Sequence, residues 1–268
     1  MKILNGSEIA GFIKERQAKQ VRSLKQANNI QPKLAIIQIK DDPIINTYIR
    51  LKSKYGQDIG VEVLVYKINQ KDATATIKKL NQDDDVHGII VQLPVKDTQQ
   101  TDEILQTVSP KKDVDGLGST KYFDPATPMA ILWLLAGYNV DLRQKEILLI
   151  GQGKLVGGPL EKMFKDSGYN VSVAGRDTKD RAAEAKKADV IITATGSPAI
   201  LYSTMIKENV VVVDAGVASE DGKTVGDVAD EVYQRSDLTI TPKKGGVGPL
   251  TVCALFENVI KAARLSAN

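Results

Sequence analysis

The chain has 268 residues, enough for one large or two modest domains, and its apolar (42 %) and charged (26 %) fractions exclude a disordered tail protein. The 36 basic and 33 acidic residues leave a net charge of +3, too small and too interspersed for a nucleic-acid or membrane binder. One cysteine, Cys253, and one histidine, His87, exclude an internal disulfide, a multi-cysteine cluster and a two-histidine metal site, so no metal is expected. No apolar run approaches the roughly 18 residues of a membrane span, and the first residues lack a signal-peptide stretch, so a cytoplasmic protein is expected. A proton-moving enzyme of this composition would use a lysine, a tyrosine or a carboxylate.

Short apolar runs alternate with amphipathic segments along the chain. Leu34–Ile39 reads as a strand, 45–59 as a helix, Glu62–Tyr66 as a strand, Ala73–Asn81 as a helix and Gly88–Leu93 as a strand. After Asp115-Gly116 the pattern turns polar and aromatic, and Pro128–Tyr138 then reads as an apolar helix. A second series follows: strands at Glu146–Ile150, Asn170–Ala174, Val190–Ala194 and Val210–Asp214, helices at 156–167 and 180–188, and a closing helix at 250–265. The pattern predicts an α/β protein with two α/β domains and parallel sheets. Asp83-Asp84-Asp85 reads as a solvated loop, and His87 and Cys253 read as structural residues.

Ile147-Leu148-Leu149-Ile150 runs into Gly151-Gln152-Gly153-Lys154-Leu155-Val156-Gly157 and then into a helix. Glycines after a strand allow a sharp turn and let backbone N–H groups approach a pyrophosphate at a helix N-terminus. The G-x-G-x-x-x-G spacing is one residue longer than the usual dinucleotide fingerprint. The next strand ends at Gly175-Arg176-Asp177, where an arginine would face a ribose 2′-phosphate and an acid a 2′-hydroxyl. Arg176 comes first, which leans to NADP and leaves NAD open.

In the first half, Tyr48 and Lys52 are spaced i, i+4 on one helix face. Gln92 ends a buried strand, where α/β sheets bind ligands. Asp115 offers a carboxylate beside a turn glycine, Gly116.

Six motifs then occur in order: Tyr48-x-x-x-Lys52, Val91-Gln92-Leu93-Pro94, Lys112-Asp113-Val114-Asp115-Gly116, Pro125-x-Thr127-Pro128, Val156-Gly157-x-Pro159 and Gly245-Gly246-Val247-Gly248-Pro249-Leu250-Thr251. Together they resemble the bifunctional methylenetetrahydrofolate dehydrogenase/methenyltetrahydrofolate cyclohydrolase family over nearly the whole chain. The resemblance implies oxidation of 5,10-methylenetetrahydrofolate with NADP, then hydrolysis of the methenyl product to 10-formyltetrahydrofolate. It places the enzyme in one-carbon metabolism and purine biosynthesis. It implies a folate-binding catalytic domain at 1–120, completed by a C-terminal helix at 250–268, and a Rossmann-like NADP-binding domain at 121–249. The active site would lie in the cleft between them, and the partners would be tetrahydrofolate derivatives and a second copy in a homodimer.

By the same resemblance Lys52 is the catalytic amine, Gln92 tunes it, Asp115 holds the pterin-type ring and Tyr48 packs on the folate. Val91, Leu93, Gly246 and Pro249 would shape the substrate pocket. Gly151, Gln152, Gly153, Arg176 and Val217 would lie along the nucleotide. Four positions depart from the family pattern. Ile45 stands where a serine is usual, and Gln152-Gly153 stand for Arg-Ser or Ala-Ser. Gly118-Ser119 replace His-Pro, and Lys244 replaces a proline. With Ile45 the dehydrogenase is expected to survive and hydrolysis to be slower.

Overall fold

A computed structural model describes residues 1–220 and 223–266. Its contacts divide the chain into a first unit, Gly11–Ala126 with the chain from Val252, and a second, Met1–Ala10 with Thr127–Thr251.

In chain order the elements are β1 (Lys2–Ile3), α1 (Gly6–Asn28), β2 (Lys33–Gln38), α2 (Pro43–Ile59), β3 (Glu62–Lys67), α3 (Ala73–Gln82), β4 (Gly88–Gln92), α4 (Thr101–Thr107) and α5 (Ala126–Gly137). There follow β5 (Ile147–Ile150), α6 (Gly157–Asp166), β6 (Val171–Ala174), α7 (Arg181–Lys187), β7 (Val190–Thr193), β8 (Val211–Asp214), β9 (Ala218–Glu220), β10 (Lys223–Val225), β11 (Thr239–Ile240) and α8 (Val247–Leu265).

The first unit is built on a three-stranded parallel sheet, ordered β3-β2-β4. Leu34, Ala35, Ile36 and Ile37 of the central strand are fully buried, which is why that strand reads as a continuous apolar run with no alternation. The register sets Gln38 opposite Gln92, so the carboxyl ends of β2 and β4 lie level. Asp42 caps α2 by accepting from Ile44 N and Ile45 N, Pro43 starts the helix, and Gly60 closes it in the left-handed conformation. Gly56 lets α2 approach closely: a Cβ there would lie 2.4 Å from Val63 and 3.1 Å from Phe256 of α8.

The second unit holds a six-stranded sheet, ordered β1-β11-β8-β7-β5-β6, with every neighbouring pair parallel. The β5, β7 and β8 strands are short apolar runs, and Ile150, Ile191 and Val212 of one shared core cluster are fully buried. An antiparallel hairpin, β9 with β10, stands apart from this sheet.

The first residues of the chain pair in the second unit. Lys2 N donates to Leu238 O at 2.9 Å and Leu4 N to Ile240 O at 2.8 Å, so β1 adds to the second unit's sheet and residues 1–10 group with it. The two-residue strand lacks an apolar run that could announce it. The closing helix starts at Val247, not Leu250, and residues 267 and 268 lie outside the described residues.

Candidate active site

Lys52 and Tyr48 lie one turn apart on α2, both half-buried. Lys52 Nζ donates to Gln92 Oε1 at 2.7 Å, and Gln92 Nε2 donates to the neighbouring Leu93 carbonyl at 3.1 Å, so the amide is fixed with its oxygen toward the amine. Burial pushes the Lys52 amine below the usual lysine range, and the negative charge of Asp115 opposes that shift. Asp115 is pushed the other way: burial raises its carboxyl, Lys52 draws it down, and Asp113 adds to the rise. Asp115 has no hydrogen-bond partner among the described residues, so its acceptor oxygens are open to a donor-bearing ligand.

The turn carrying Asp115 is tightly built. Asp113 accepts from Gly116 N at 3.1 Å and from Gly118 N at 2.7 Å. Gly116 has φ +66°, and a Cβ there would meet Phe123 O at 2.8 Å. Ile89 N donates to Lys112 O at 2.7 Å, which stitches the turn to β4, and Asn258 Nδ2 of α8 donates to Val114 O at 2.9 Å. Val91 is buried in β4, and Leu93 is half-buried just after it.

In the second unit the glycine-rich loop leaves β5 and enters α6. Gly151 has φ +103°, and a Cβ at Gly157 would fall 1.9 Å from Gly151 O, so these two glycines set the loop's shape. A Cβ at Gly153 would meet nothing within 4 Å, so the loop is open on that side, while the Gly153 carbonyl accepts from Gly158 N at 3.0 Å. That is a cradle suited to a phosphate. Gln152 is exposed and its amide donates to Glu161 on α6 at 2.6 Å. The turn after β6 is closed by Gly175 N donating to Thr178 Oγ1 at 2.9 Å, with Arg176 and Asp177 exposed at its tip and neither paired among the described residues. Val217 is exposed after β8. Gly246 is buried against Thr241, and Pro249 stands in the first turn of α8.

Models of the tetrahydrofolate dehydrogenase/cyclohydrolase family match the chain twice, its catalytic domain over residues 4–115 and its NAD(P)-binding domain over 125–267. The chain is 39 % identical over 283 residues to the bifunctional protein FolD of Campylobacter jejuni, covering 100 % of each. The chain belongs to the tetrahydrofolate dehydrogenase/cyclohydrolase family. The crystal structure of the Campylobacter jejuni bifunctional FolD methylenetetrahydrofolate dehydrogenase/cyclohydrolase superposes with a TM-score of 0.92 at 39 % identity, covering 99 % of both chains. The Trypanosoma brucei dehydrogenase-cyclohydrolase, crystallised with NADP and an inhibitor, gives 0.92 at 26 % identity over 98 % of this chain and 97 % of its own.

Within this family member, the structure brings Lys52, Gln92 and Asp115 together in the first unit, with Tyr48 on the same helix. It places Gly151, Gln152, Gly153, Arg176, Val217, Gly246 and Pro249 in the second. Ile45 is buried on α2, three positions before Tyr48 and seven before Lys52, hence on their face of the helix. Among the described residues no group of three or more His, Cys, Asp or Glu side chains is placed to hold a metal, and no helix is long and apolar enough to cross a membrane. His87 is buried with Nδ1 accepting from Lys33 N at 3.2 Å, and burial lowers its pKa. Sequence reading gave no role to Asp113 or Asn258. Asp113 stood inside a quoted motif, whereas Asn258 carries no local signal.

Proposed function

We propose that this protein oxidises 5,10-methylenetetrahydrofolate to the 5,10-methenyl compound with NADP and hydrolyses that product to 10-formyltetrahydrofolate. The observation that carries the reading is the Lys52–Gln92 pair at 2.7 Å beside the carboxylate of Asp115, which accepts no hydrogen bond among the described residues. An amine whose pKa is lowered by burial has a larger neutral fraction near pH 7 and can take a proton from water. Gln92 holds Nζ in place. Asp115 accepts from the amino and ring N–H groups of the pterin, and Tyr48 lays its ring on the folate. Val91 and Leu93, at the end of β4, shape the folate's surroundings in the first unit.

The glycine loop suits the dinucleotide, since the space beside Gly153 is open and Gly157 is packed where no side chain fits. Gly151, Gln152, Gly153, Arg176 and Val217 would line NADP, with Arg176 on the 2′-phosphate. When bound, NADP supplies the acceptor for the hydride of the methylene carbon. That step needs orientation and no histidine. In the second step water adds to the methenyl carbon and Lys52 takes one of its protons; the C–N5 bond then breaks as the Lys52 ammonium returns that proton to N5 and the remaining hydroxyl proton passes to solvent, which leaves the formyl group on N10. The reading includes a cytoplasmic homodimer, as the family resemblance implies.

The test is a spectrophotometric assay of the purified protein with methylenetetrahydrofolate and NADP or NAD, and separately with methenyltetrahydrofolate alone. Both activities, faster with NADP, are expected. Oxidation without hydrolysis would leave a dehydrogenase disabled by Ile45. Neither activity would leave a non-catalytic folate or nucleotide binder and overturn the proposal.

A further inference from the structure

In the second unit β6 pairs with one side of β5 and β7 with the other, so the chain reverses direction across the sheet at β5. Open α/β sheets bind ligands at such a point, outside the carboxyl ends of the two diverging strands. The residues lying there after β7 form the turn Ala194–Ser197. A Cβ on Gly151 would meet Ala194 O at 2.7 Å and Thr195 Cγ2 at 2.8 Å, so this turn touches the first glycine of the phosphate loop. On its other flank Gly196, at φ +66°, stands with its Cβ position 3.2 Å from Val217 O.

A buried carboxylate holds this turn from below. Asp227, fully buried, accepts from Thr195 N at 2.7 Å and Thr195 Oγ1 at 2.9 Å through one oxygen, and from Ser197 N at 3.0 Å through the other. Asp227 rests in turn on Asp214 at the end of β8. Asp214 accepts from Asp227 N at 3.1 Å, Val228 N at 3.1 Å, Gly216 N at 3.0 Å and Thr193 Oγ1 at 3.1 Å. The packing leaves no slack: a Cβ at Gly216 would fall 2.0 Å from the Asp227 carboxylate, and one at Gly226 would fall 2.0 Å from that of Asp214. Neither aspartate is among the residues assigned above to either step.

We propose that Asp227, seated on Asp214, is a positioning residue for the dinucleotide, fixing the turn after β7 against the phosphate loop. The inference rests on the dinucleotide reading above and deepens it. By engaging the N–H groups of Thr195 and Ser197, Asp227 aims the remaining donors of the turn outward. These are Gly196 N–H and the Ser197 hydroxyl, both on exposed residues and without a partner among the described residues. They stand beside the loop that would take the pyrophosphate, where backbone and hydroxyl donors match phosphate and ribose oxygens.

The test is Asp227→Asn, which turns one acceptor oxygen into a donor facing N–H groups. NADP binding is measured by calorimetry without folate, and hydrolysis of methenyltetrahydrofolate is measured without nucleotide. The dissociation constant for NADP and the dehydrogenase KM for NADP are expected to rise at least tenfold, with hydrolysis within twofold of wild type. Thr195→Val, which removes only the hydroxyl donor, is expected to raise the same constants about threefold. Unchanged NADP affinity in Asp227→Asn would overturn the proposal. So would a loss of hydrolysis in parallel with binding, if Thr195→Val then binds NADP as the wild type does. A wild-type protein that binds no dinucleotide would instead sink the functional reading itself.

Discussion

Replacing Gln92 with leucine removes the acceptor that lies 2.7 Å from Lys52 Nζ while keeping a side chain of similar volume at the end of β4. A hydrogen bond involving a charged group contributes about 1.5–3 kcal/mol. The neutral amine also donates to this oxygen, at about half that strength for a neutral pair, so the loss falls more heavily on the ammonium form. The difference, roughly 0.75–1.5 kcal/mol, disfavours the ammonium form and so lowers the amine's pKa. Burial already lowers the Lys52 pKa against the pull of the Asp115 charge, and losing the oxygen that favours the ammonium form should lower it further. The plateau rate should fall about tenfold, because the amine loses the contact that orients it. The assay is the pH dependence of methenyltetrahydrofolate hydrolysis, corrected for the uncatalysed reaction in buffer. The rising limb should move to lower pH in the variant while NADP binding stays constant. A limb that stays in place or moves to higher pH would refute the assignment of that limb to a Gln92-held Lys52.

Arg176→Ala should raise the KM for NADP at least tenfold and leave that for NAD nearly unchanged, since a charge-assisted contact to a 2′-phosphate is worth about 1.5–3 kcal/mol; equal losses with both nucleotides would remove Arg176 from that role. Gly157→Ala should abolish measurable NADP binding and spare hydrolysis, because its Cβ would fall 1.9 Å from Gly151 O and force the loop open. Calorimetric titration with NADP checks it, and wild-type affinity would show that the loop is not the phosphate cradle.

The parts of this molecule that were legible in sequence are those written in short, local codes. β2, β5 and β7 are buried on both faces and therefore appear as unbroken apolar runs. The glycines of the phosphate loop announce themselves because a Cβ at two of them would strike backbone. Lys52, Gln92 and Asp115 come from three separate segments, and only their ordered motifs tied them together before the structure set amine and amide in contact. What escaped detection is held by polar groups in buried positions. The 23-residue α1 places Ala10, Gln17, Val21 and Leu24 inside, and the buried Gln17 interrupts the apolar stripe. Its amide donates to Cys253 O and Glu257, and it accepts from Tyr55 OH at 2.7 Å, a set of partners far apart in sequence. Asp227 was hidden for the same reason: its meaning lies in donors some thirty residues upstream.

Ile45 joins these two kinds of information, because its identity was visible in sequence and its consequence depends on burial. It is 4 % exposed on the face of α2 that carries Tyr48 and Lys52. A branched hydrocarbon there neither donates nor accepts a hydrogen bond, and on this face it favours dry surroundings of the kind that lower an amine's pKa. The lower pKa favours the neutral amine, whereas the dry surroundings hinder entry of the water that must be deprotonated. Hydride transfer needs no water, so only the second step is exposed to this conflict. Ile45→Ser removes buried apolar volume at a cost of about 2–4 kcal/mol in stability. Its hydroxyl can turn either to the carbonyl four residues back or to a water near the amine. The ratio of hydrolysis to oxidation should then rise severalfold, measured on one preparation at a temperature where its thermal transition shows it folded. A ratio that is unchanged or lower would mean that water reaches Lys52 past isoleucine as readily as past serine, and that Ile45 is a neutral replacement at this site.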